Sequence, residues 1–363
     1  PTSRRPLPAL LLIILLLTLA NASAQAELAR GSDPGEVADQ AVEAWLDQEM
    51  PPLTALSRMP AEELCRELPG FVMNPAPEEG TRVNVDDRRE LESDDPGTRV
   101  FSYSAVRPGD RLAVVQVTVD EQEGEWVAVQ AGYRVQGQDG RAWLQTPGAS
   151  AAFIAFTLLV AYLLVTRSFL RRWLAQGREV IRSHKGTVIF TMVLLYGLFG
   201  LGVLAGNQLP DECTGAALAL VDQAVTAVGA TEAYGSGNVA RAAVVTFYQN
   251  FVVVTLSVTF TFALLFGIPA YLLAGASFFV QAIPFGLVDA FSGPEAIFVI
   301  VLLLLELTAY FLVVAGGGIL LRTLIRQGFA ALPTAVSRLA LMLPFAMLLL
   351  LVGAWYEAAI LLL

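Results

Sequence analysis

The sequence predicts a polytopic α-helical membrane bundle that follows a small, exported α+β domain. Of the 363 residues, 55% are apolar and only 15% are charged, whereas soluble globular proteins average roughly 25% charged residues. The charge is also segregated, because residues 25–148 hold 24 of the 33 acidic side chains together with 11 arginines. An acidic, water-soluble segment therefore precedes an apolar, slightly basic one.

The first 24 residues are typical of an export signal. Arg4 and Arg5 precede an apolar run over residues 7–20, and an Ala-Ser-Ala sequence at residues 22–24 matches the small-residue spacing that signal peptidase accepts. We expect either a cleaved signal or a retained short anchor. In both cases we expect residues 25–148 to lie on the extracytoplasmic side of the membrane.

The exported domain changes its hydrophobic period partway along. Helical spacing over residues 33–68, interrupted by two prolines, predicts two short amphipathic helices. Residues 74–97, rich in Pro, Gly and acids, predict a solvated connection, and alternation from Val100 onward predicts about four strands, the last at Trp143 and Leu144. The domain contains no histidine and its acids lack the spacing of a calcium loop, so we interpret it as a binding or spacing module.

Residues 149–363 are expected to form a six-helix membrane domain. Each of its apolar segments is near the roughly 20 residues that a spanning helix needs: residues 150–167, 187–206, 243–266, 269–290, 296–320 and 339–358. The basic side chains between the first two segments predict a cytoplasmic loop. No charge occurs between Arg241 and Asp289, so residues 243–290 are either a hairpin of two full spans or a pair of broken helices.

The chain contains two cysteines, Cys65 and Cys213. The predicted topology places both of them outside the cytoplasm, where disulfides persist. A bridge between them, holding the exported domain to the first outer loop of the bundle, is the favoured prediction, and two unrelated thiols are the alternative.

Polar residues within the spans are the candidate functional residues, because a charged group in hydrocarbon is costly. Glu306 is the clearest case, and side chains able to hydrogen-bond across helices accompany it: Gln249, Asn250, Thr308 and Tyr310. They form either an ion, proton or substrate site or a structural polar clamp. The clamp is the favoured interpretation, and a single carboxylate without a partner acid, His or Lys in the spans does not make an intramembrane hydrolase.

Glycines on the spans are predicted to let helix backbones approach closely: Gly197, Gly200, Gly202, Gly206, Gly267, Gly316, Gly317 and Gly318.

His184 is the single histidine and lies in the basic loop, without the neighbouring ligands that a metal site needs. We therefore predict neither a metal nor a cofactor. A nucleic-acid partner is also not expected, because the acidic domain repels phosphate.

The passages at residues 247–275 and 306–322 resemble the stage II sporulation protein M family of integral membrane proteins. The resemblance covers about residues 168–325 and is centred on a small set of positions: Asn250, Gly267, Gly275 and the Glu-Leu-Thr-Ala sequence that begins at Glu306. The chain departs from the family at Leu302 and Leu303, where the family has a His-Gly pair, and at Ala274, where it has Asn. In spore formers the family is implied to be a scaffold that holds peptidoglycan-degrading enzymes at the engulfing membrane, and a role that needs the family histidine is not implied here.

Two functions from different classes are consistent with these features. The first is a non-enzymatic membrane scaffold or anchor that presents its exported domain and recruits a cell-envelope partner or a larger membrane complex. The second is a transporter or permease-like subunit with a polar site around Glu306 and Asn250. Membrane lipid is a partner in both.

Overall fold

The computed structural model describes residues 29–48, 60, 63, 65, 76–91, 97–122, 124–133, 139–210, 213–215, 217–218, 221 and 228–362. The predicted export signal and most of the second predicted amphipathic helix lie outside these residues. The chain divides into two compact units. One contains the described residues up to Tyr133 together with those between Leu209 and Ala224, and the other contains the remainder.

The first unit is built on a five-stranded antiparallel sheet of order β1-β5-β4-β3-β2. Its strands are β1 (Arg30–Gly31), β2 (Arg82–Leu91), β3 (Thr98–Arg107), β4 (Arg111–Gln122) and β5 (Glu125–Tyr133). The turn between β3 and β4 passes through Gly109 and Asp110, both at positive φ. The last four strands therefore form a meander, as the alternating pattern predicted for three of them.

Helix α1 (Pro34–Leu46) covers one face of this sheet. The Asp33 side chain accepts hydrogen bonds from the backbone N–H groups of Gly35 and Glu36, which caps the helix. Trp45 is fully buried and meets the Tyr133 ring edge to face at 5.2 Å. Inward-facing residues of the inner strands complete the core: Phe101, Tyr103, Val115, Val117, Val119, Ala128 and Ala131.

Two predictions for this region are wrong. Residues 82–91, predicted as part of a solvated connection, form edge strand β2, in which Val83 and Val85 alternate on the inner face and most of the other residues are charged. Charged side chains on an edge strand hide its alternation and protect it from pairing with other chains. Trp143 and Leu144, predicted as a strand, lie instead in a 3₁₀-helix (Asp139–Gln145), where Leu144 is buried in the core of the second unit.

An ion-pair cluster at the end of the sheet is expected to make the first unit less stable in acid. Glu78 accepts hydrogen bonds from Arg107 and, at 2.7 Å, from Arg111. The Arg107 guanidinium, which also lies over the Tyr133 ring, is the main reason that the pKa of Glu78 is below its ordinary value. Since the folded-state pKa is the lower one, the stability from Glu78 is present above the unfolded-state pKa and is lost as the pH falls through the folded-state pKa.

We expect Glu78→Gln to lower the urea midpoint of this unit at pH 7, and we expect this effect to shrink as the pH falls from the unfolded-state pKa through the lowered folded-state pKa, below which the carboxyl is protonated in both states. Tryptophan emission during urea unfolding, recorded between pH 7 and 3, measures the difference. The exposed neighbour Glu79, replaced by Gln, is the matched control. A difference between Glu78→Gln and wild type that stays constant down to pH 3 would contradict the assignment.

The second unit is helical. Its elements are α2 (Pro147–Val165), α3 (Phe169–Ser183), α4 (Lys185–Gly206), α5 (Ala230–Gly235), α6 (Val239–Phe247), a π-helix (Tyr248–Phe260), α7 (Thr261–Leu264), α8 (Ile268–Leu287), α9 (Ala296–Gln327), a 3₁₀-turn (Phe329–Ala331), α10 (Leu332–Ala340) and α11 (Leu343–Leu362). Within the described residues, six helical segments are long and apolar enough to cross a membrane. They coincide with the six predicted spans and suggest a multi-pass membrane protein.

The third span resolves the ambiguity over residues 243–290. It runs over Val239–Leu264 and the fourth over Ile268–Leu287, so this region is a hairpin of two long helices. The turn between them passes through Gly267, which has a φ of +77°. An added Cβ at Gly267 would lie 2.5 Å from the carbonyl oxygen of Gly317 on α9, so this position excludes a side chain for two independent reasons.

Helices α4 and α8 pack against each other almost backbone to backbone. A Cβ added at Gly202 would overlap the Phe279 carbonyl, and one added at Gly206 would overlap the Ile283 carbonyl. The same holds at Gly286, which faces the carbonyl of Val203. Since residue numbers rise together on both helices, α4 and α8 run parallel, as the second and fourth spans of a six-span chain must.

The predicted packing glycines therefore fall into two groups. Gly202, Gly206, Gly267, Gly316, Gly317 and Gly318 lie at close contacts, whereas Gly197 and Gly200 have no atom of the described chain within 4 Å of an added Cβ. Gly197 and Gly200 point away from the α4–α8 contact because they lie on another face of the same helix. The glycine pattern therefore predicts which helix packs closely against a neighbour, but it does not predict which face of that helix makes the contact.

A candidate polar site inside the helical bundle

The predicted polar residues meet at a contact between the third and fifth spans. Asn250 Nδ2 donates a hydrogen bond to Glu306 Oε1 at 2.6 Å. Asn250 belongs to the first turn of the π-helix and Glu306 to the middle of α9, and both side chains are half-buried. The structure thus joins two candidates that are 56 residues apart in the chain.

The π-helix that presents Asn250 is 13 residues long. Its hydroxyl side chains bond to the carbonyl group five residues earlier, as Thr255 does to Asn250, Ser257 to Val252 and Thr259 to Val254. In an α-helix such bonds reach back four residues, so these hydroxyls match the wider turn. π-helical turns are rare and often lie at functional sites, and this one places Gln249 and Asn250 beside α9.

A cavity of about 480 Å³ lies next to the Asn250–Glu306 pair. It is lined by the π-helix, α8, α9 and Phe199 of α4, and its volume is within the range of small-ligand sites, roughly 300–1,000 Å³. Most of its lining is apolar, but several side chains contribute polar groups: Gln249, Asn250, Thr259, Ser277, Gln281, Glu306 and Tyr310. Apolar walls with a few converging polar groups are typical of a binding site.

Thr308 and Tyr310 have separate environments. Thr308 lies 2.7 Å from the Tyr196 hydroxyl of α4 and does not line the cavity. Tyr310 lines the cavity, is 5% exposed and stacks on Phe278 with ring centroids 5.5 Å apart. Thr308 therefore acts in helix packing, whereas Tyr310 forms part of the cavity wall.

A second carboxylate, which the sequence analysis did not pair with Glu306, belongs to the same region. Gly353 of α11 faces Glu306, because an added Cβ would lie 3.6 Å from Glu306 Cγ, and Glu357 follows one turn later. Tyr234 of α5 lies 2.9 Å from the Thr246 hydroxyl. Burial raises the pKa of Tyr234, and the carboxylates of Glu357 and Glu306 raise it further, so both carboxylates lie near one hydroxyl group.

The prediction that Glu306 has no partner acid in the spans is therefore wrong. The sequence does contain this second acid, Glu357, at the end of an otherwise apolar segment. At that position it is easily interpreted as the polar end of a membrane span. Ser277 and Gln281 were also missed, and their i, i+4 spacing on α8 places them on one helical face. Only the packing of α11 and α8 against α9 brings these groups to Glu306.

The predicted disulfide is present between Cys65 and Cys213. Both cysteines are buried, and both belong to the first unit, because residues following α4 are part of that unit.

His184 lies at the junction of α3 and α4, with Nδ1 3.0 Å from the Val180 carbonyl. Among the residues that the structure describes, no group of three or more His, Cys, Asp or Glu side chains is arranged to hold a metal ion.

Comparison of the chain with protein families, with curated protein sequences and with solved structures finds no match.

Proposed function

We propose that this protein is an integral membrane anchor of the bacterial cytoplasmic membrane that presents an extracytoplasmic domain to a partner in the cell envelope. The six apolar helices suggest the multi-pass architecture. The resemblance to the stage II sporulation protein M family supports a scaffolding role for the bundle.

The disulfide between Cys65 and Cys213 is the observation that carries this proposal. A bridge persists in an oxidising compartment, which supports an extracytoplasmic location for residues 25–148 and for the segment after α4. It also ties the sheet domain covalently to a segment directly continuous with α4. A small domain held at two points along the chain suits the presentation of a binding surface at the membrane.

Affinity isolation of the tagged protein from its native membranes, followed by mass spectrometry, tests the proposal. We expect partners to be retained by the full chain and lost when residues 25–148 are deleted from a Cys213→Ser background. The matched control is the full chain with Cys65→Ser and Cys213→Ser, which separates loss of the domain from loss of the bridge. Monodisperse elution of each variant shows that the bundle is intact, and partners that persist after the deletion would contradict the proposal.

A second function is favoured by the polar cavity beside Glu306. A transporter or permease-like subunit needs a polar site within its spans, and the Asn250–Glu306 hydrogen bond lies at a cavity of about 480 Å³. The nearby Glu357 adds a second carboxylate, so a proton or a monovalent cation is the ligand class that suits the site.

We expect Glu306→Gln to abolish proton or ²²Na⁺ uptake into proteoliposomes if the chain transports either ion, because the substitution removes the charge but keeps the acceptor for Asn250. Thr308→Val is the matched control, since it removes a polar group from the same helix outside the cavity. Partner recovery by Glu306→Gln in the isolation experiment distinguishes the two functions. An anchor keeps its partners and shows no ion uptake in wild type.

A further inference from the structure

A second and larger cavity lies elsewhere in the helical unit. Its volume is about 630 Å³, and it is bounded by α2, α3, α10, α11 and Phe251 of the π-helix. It shares no lining residue with the polar cavity. Its lining is apolar except for Gln176 and Ser337, so it suits an apolar ligand.

Helix α3 forms one wall of this cavity and is amphipathic. Phe169, Trp173 and Gln176 line the cavity at helical spacing, and the Phe169 and Trp173 rings meet edge to face at 5.3 Å. These two rings are about half exposed. At 3.6 residues per turn, the exposed arginines Arg171, Arg178 and Arg182 lie on the opposite face, whereas Arg172 borders the cavity face. Such a helix fits the interface between hydrocarbon and headgroups.

The wall that α3 provides is fixed to the bundle. A Cβ added at Gly177 would lie 2.6 Å from the Phe345 ring and 2.7 Å from the Leu341 carbonyl. The helix therefore docks by its backbone at the junction of α10 and α11. This contact preserves the cavity between α3 and the spans.

The cavity lies at the ends of two apolar spans, next to the basic helix α3. Its lining comes from the second half of α2 and the first turn of α11, which are the ends of those spans nearest the basic helix. The basic side chains of α3 outnumber its one acid, Glu179, and clusters of this kind attract anionic headgroups. An apolar cavity beside a basic rim matches the two chemical parts of an anionic phospholipid.

We propose that this cavity binds one acyl chain of an anionic phospholipid, whose phosphate contacts Arg172 at the rim. This inference is independent of the function proposed above. It assigns the basic segment between the first two spans to specific lipid recognition at a formed site.

Native mass spectrometry of the full chain, reconstituted in equimolar phosphatidylglycerol and phosphatidylcholine and then extracted in mild detergent, tests the proposal. We expect wild type to retain one phosphatidylglycerol with at least a five-fold preference over phosphatidylcholine. Ala340→Phe fills the cavity and is expected to reduce the retained lipid several-fold. Arg172→Gln is expected to keep a lipid but to reduce the preference to about one.

Arg182→Gln is the matched control, because it removes an exposed arginine from the opposite face of the same helix. It is expected to behave as wild type. Equal retention of the two lipids by wild type would overturn the proposal, as would a monodisperse Ala340→Phe protein that retains phosphatidylglycerol fully. Arg172 is exposed, so its variant remains informative even where Ala340→Phe disturbs folding.

Discussion

Cys65→Ser or Cys213→Ser is expected to destabilise the first unit by about 3–5 kcal/mol, because the bridge closes a loop with a sequence separation of 148 residues. The upper value applies to a loop that is free in the unfolded state. Helices α2, α3 and α4 lie within this loop, and where they stay folded the effective loop is shorter and the effect smaller. Urea unfolding of the full chain under oxidising conditions, followed by tryptophan emission, measures the change.

The double variant is the control for this result. Since either single substitution breaks the bridge, the double variant should match each single one rather than sum their effects. Reduction of wild type should produce the same loss of stability. Labelling of both thiols in the oxidised protein, or an unchanged urea midpoint in Cys65→Ser, would show that the bridge does not contribute in solution.

Gly202→Ala is expected to destabilise the helical unit by about 3 kcal/mol or more, the upper range for overpacking. The new methyl would overlap the Phe279 carbonyl, a backbone atom that cannot rotate away as a side chain does. Separation of α4 and α8 is then the only relief, and it also breaks the contact at Gly206. The thermal midpoint in detergent and the yield of monodisperse protein measure the effect.

Gly200→Ala is the matched control on the same helix. No atom of the described chain lies within 4 Å of its added Cβ, and alanine favours helix over glycine by roughly 0.5–1 kcal/mol. We therefore expect Gly200→Ala to be neutral or slightly stabilising. Similar losses from the two substitutions would contradict the packing of α4 against α8.

The number of spans was accessible from the sequence because each needs about 20 apolar residues in succession. The disulfide was accessible for a comparable reason, since two cysteines allow one pairing. Strands β3, β4 and β5 were found from period-two alternation. Strand β2 was not, because only Val83 and Val85 carry its alternation among charged edge residues.

The main residues of the candidate site could be predicted from the sequence, but their arrangement could not. Glu306 and Asn250 stand out as polar residues in apolar segments, but the 2.6 Å contact between them depends on the π-helical winding of the third span. A membrane-spanning helix is apolar around its whole circumference. Its sequence therefore has no hydrophobic period that distinguishes π-helical from α-helical winding.

Hydrophobic length, charge asymmetry and cysteine number are additive properties of the chain, so the sequence alone establishes the two-part organisation and the six apolar segments. It also leaves only one possible pairing of the cysteines, which the structure shows to be formed. Which face of a helix meets its neighbour is a property of packing between segments distant in the chain. For that reason Gly202 rather than Gly200 carries the α4–α8 contact, and Glu357 of α11 comes to lie beside Glu306 of α9.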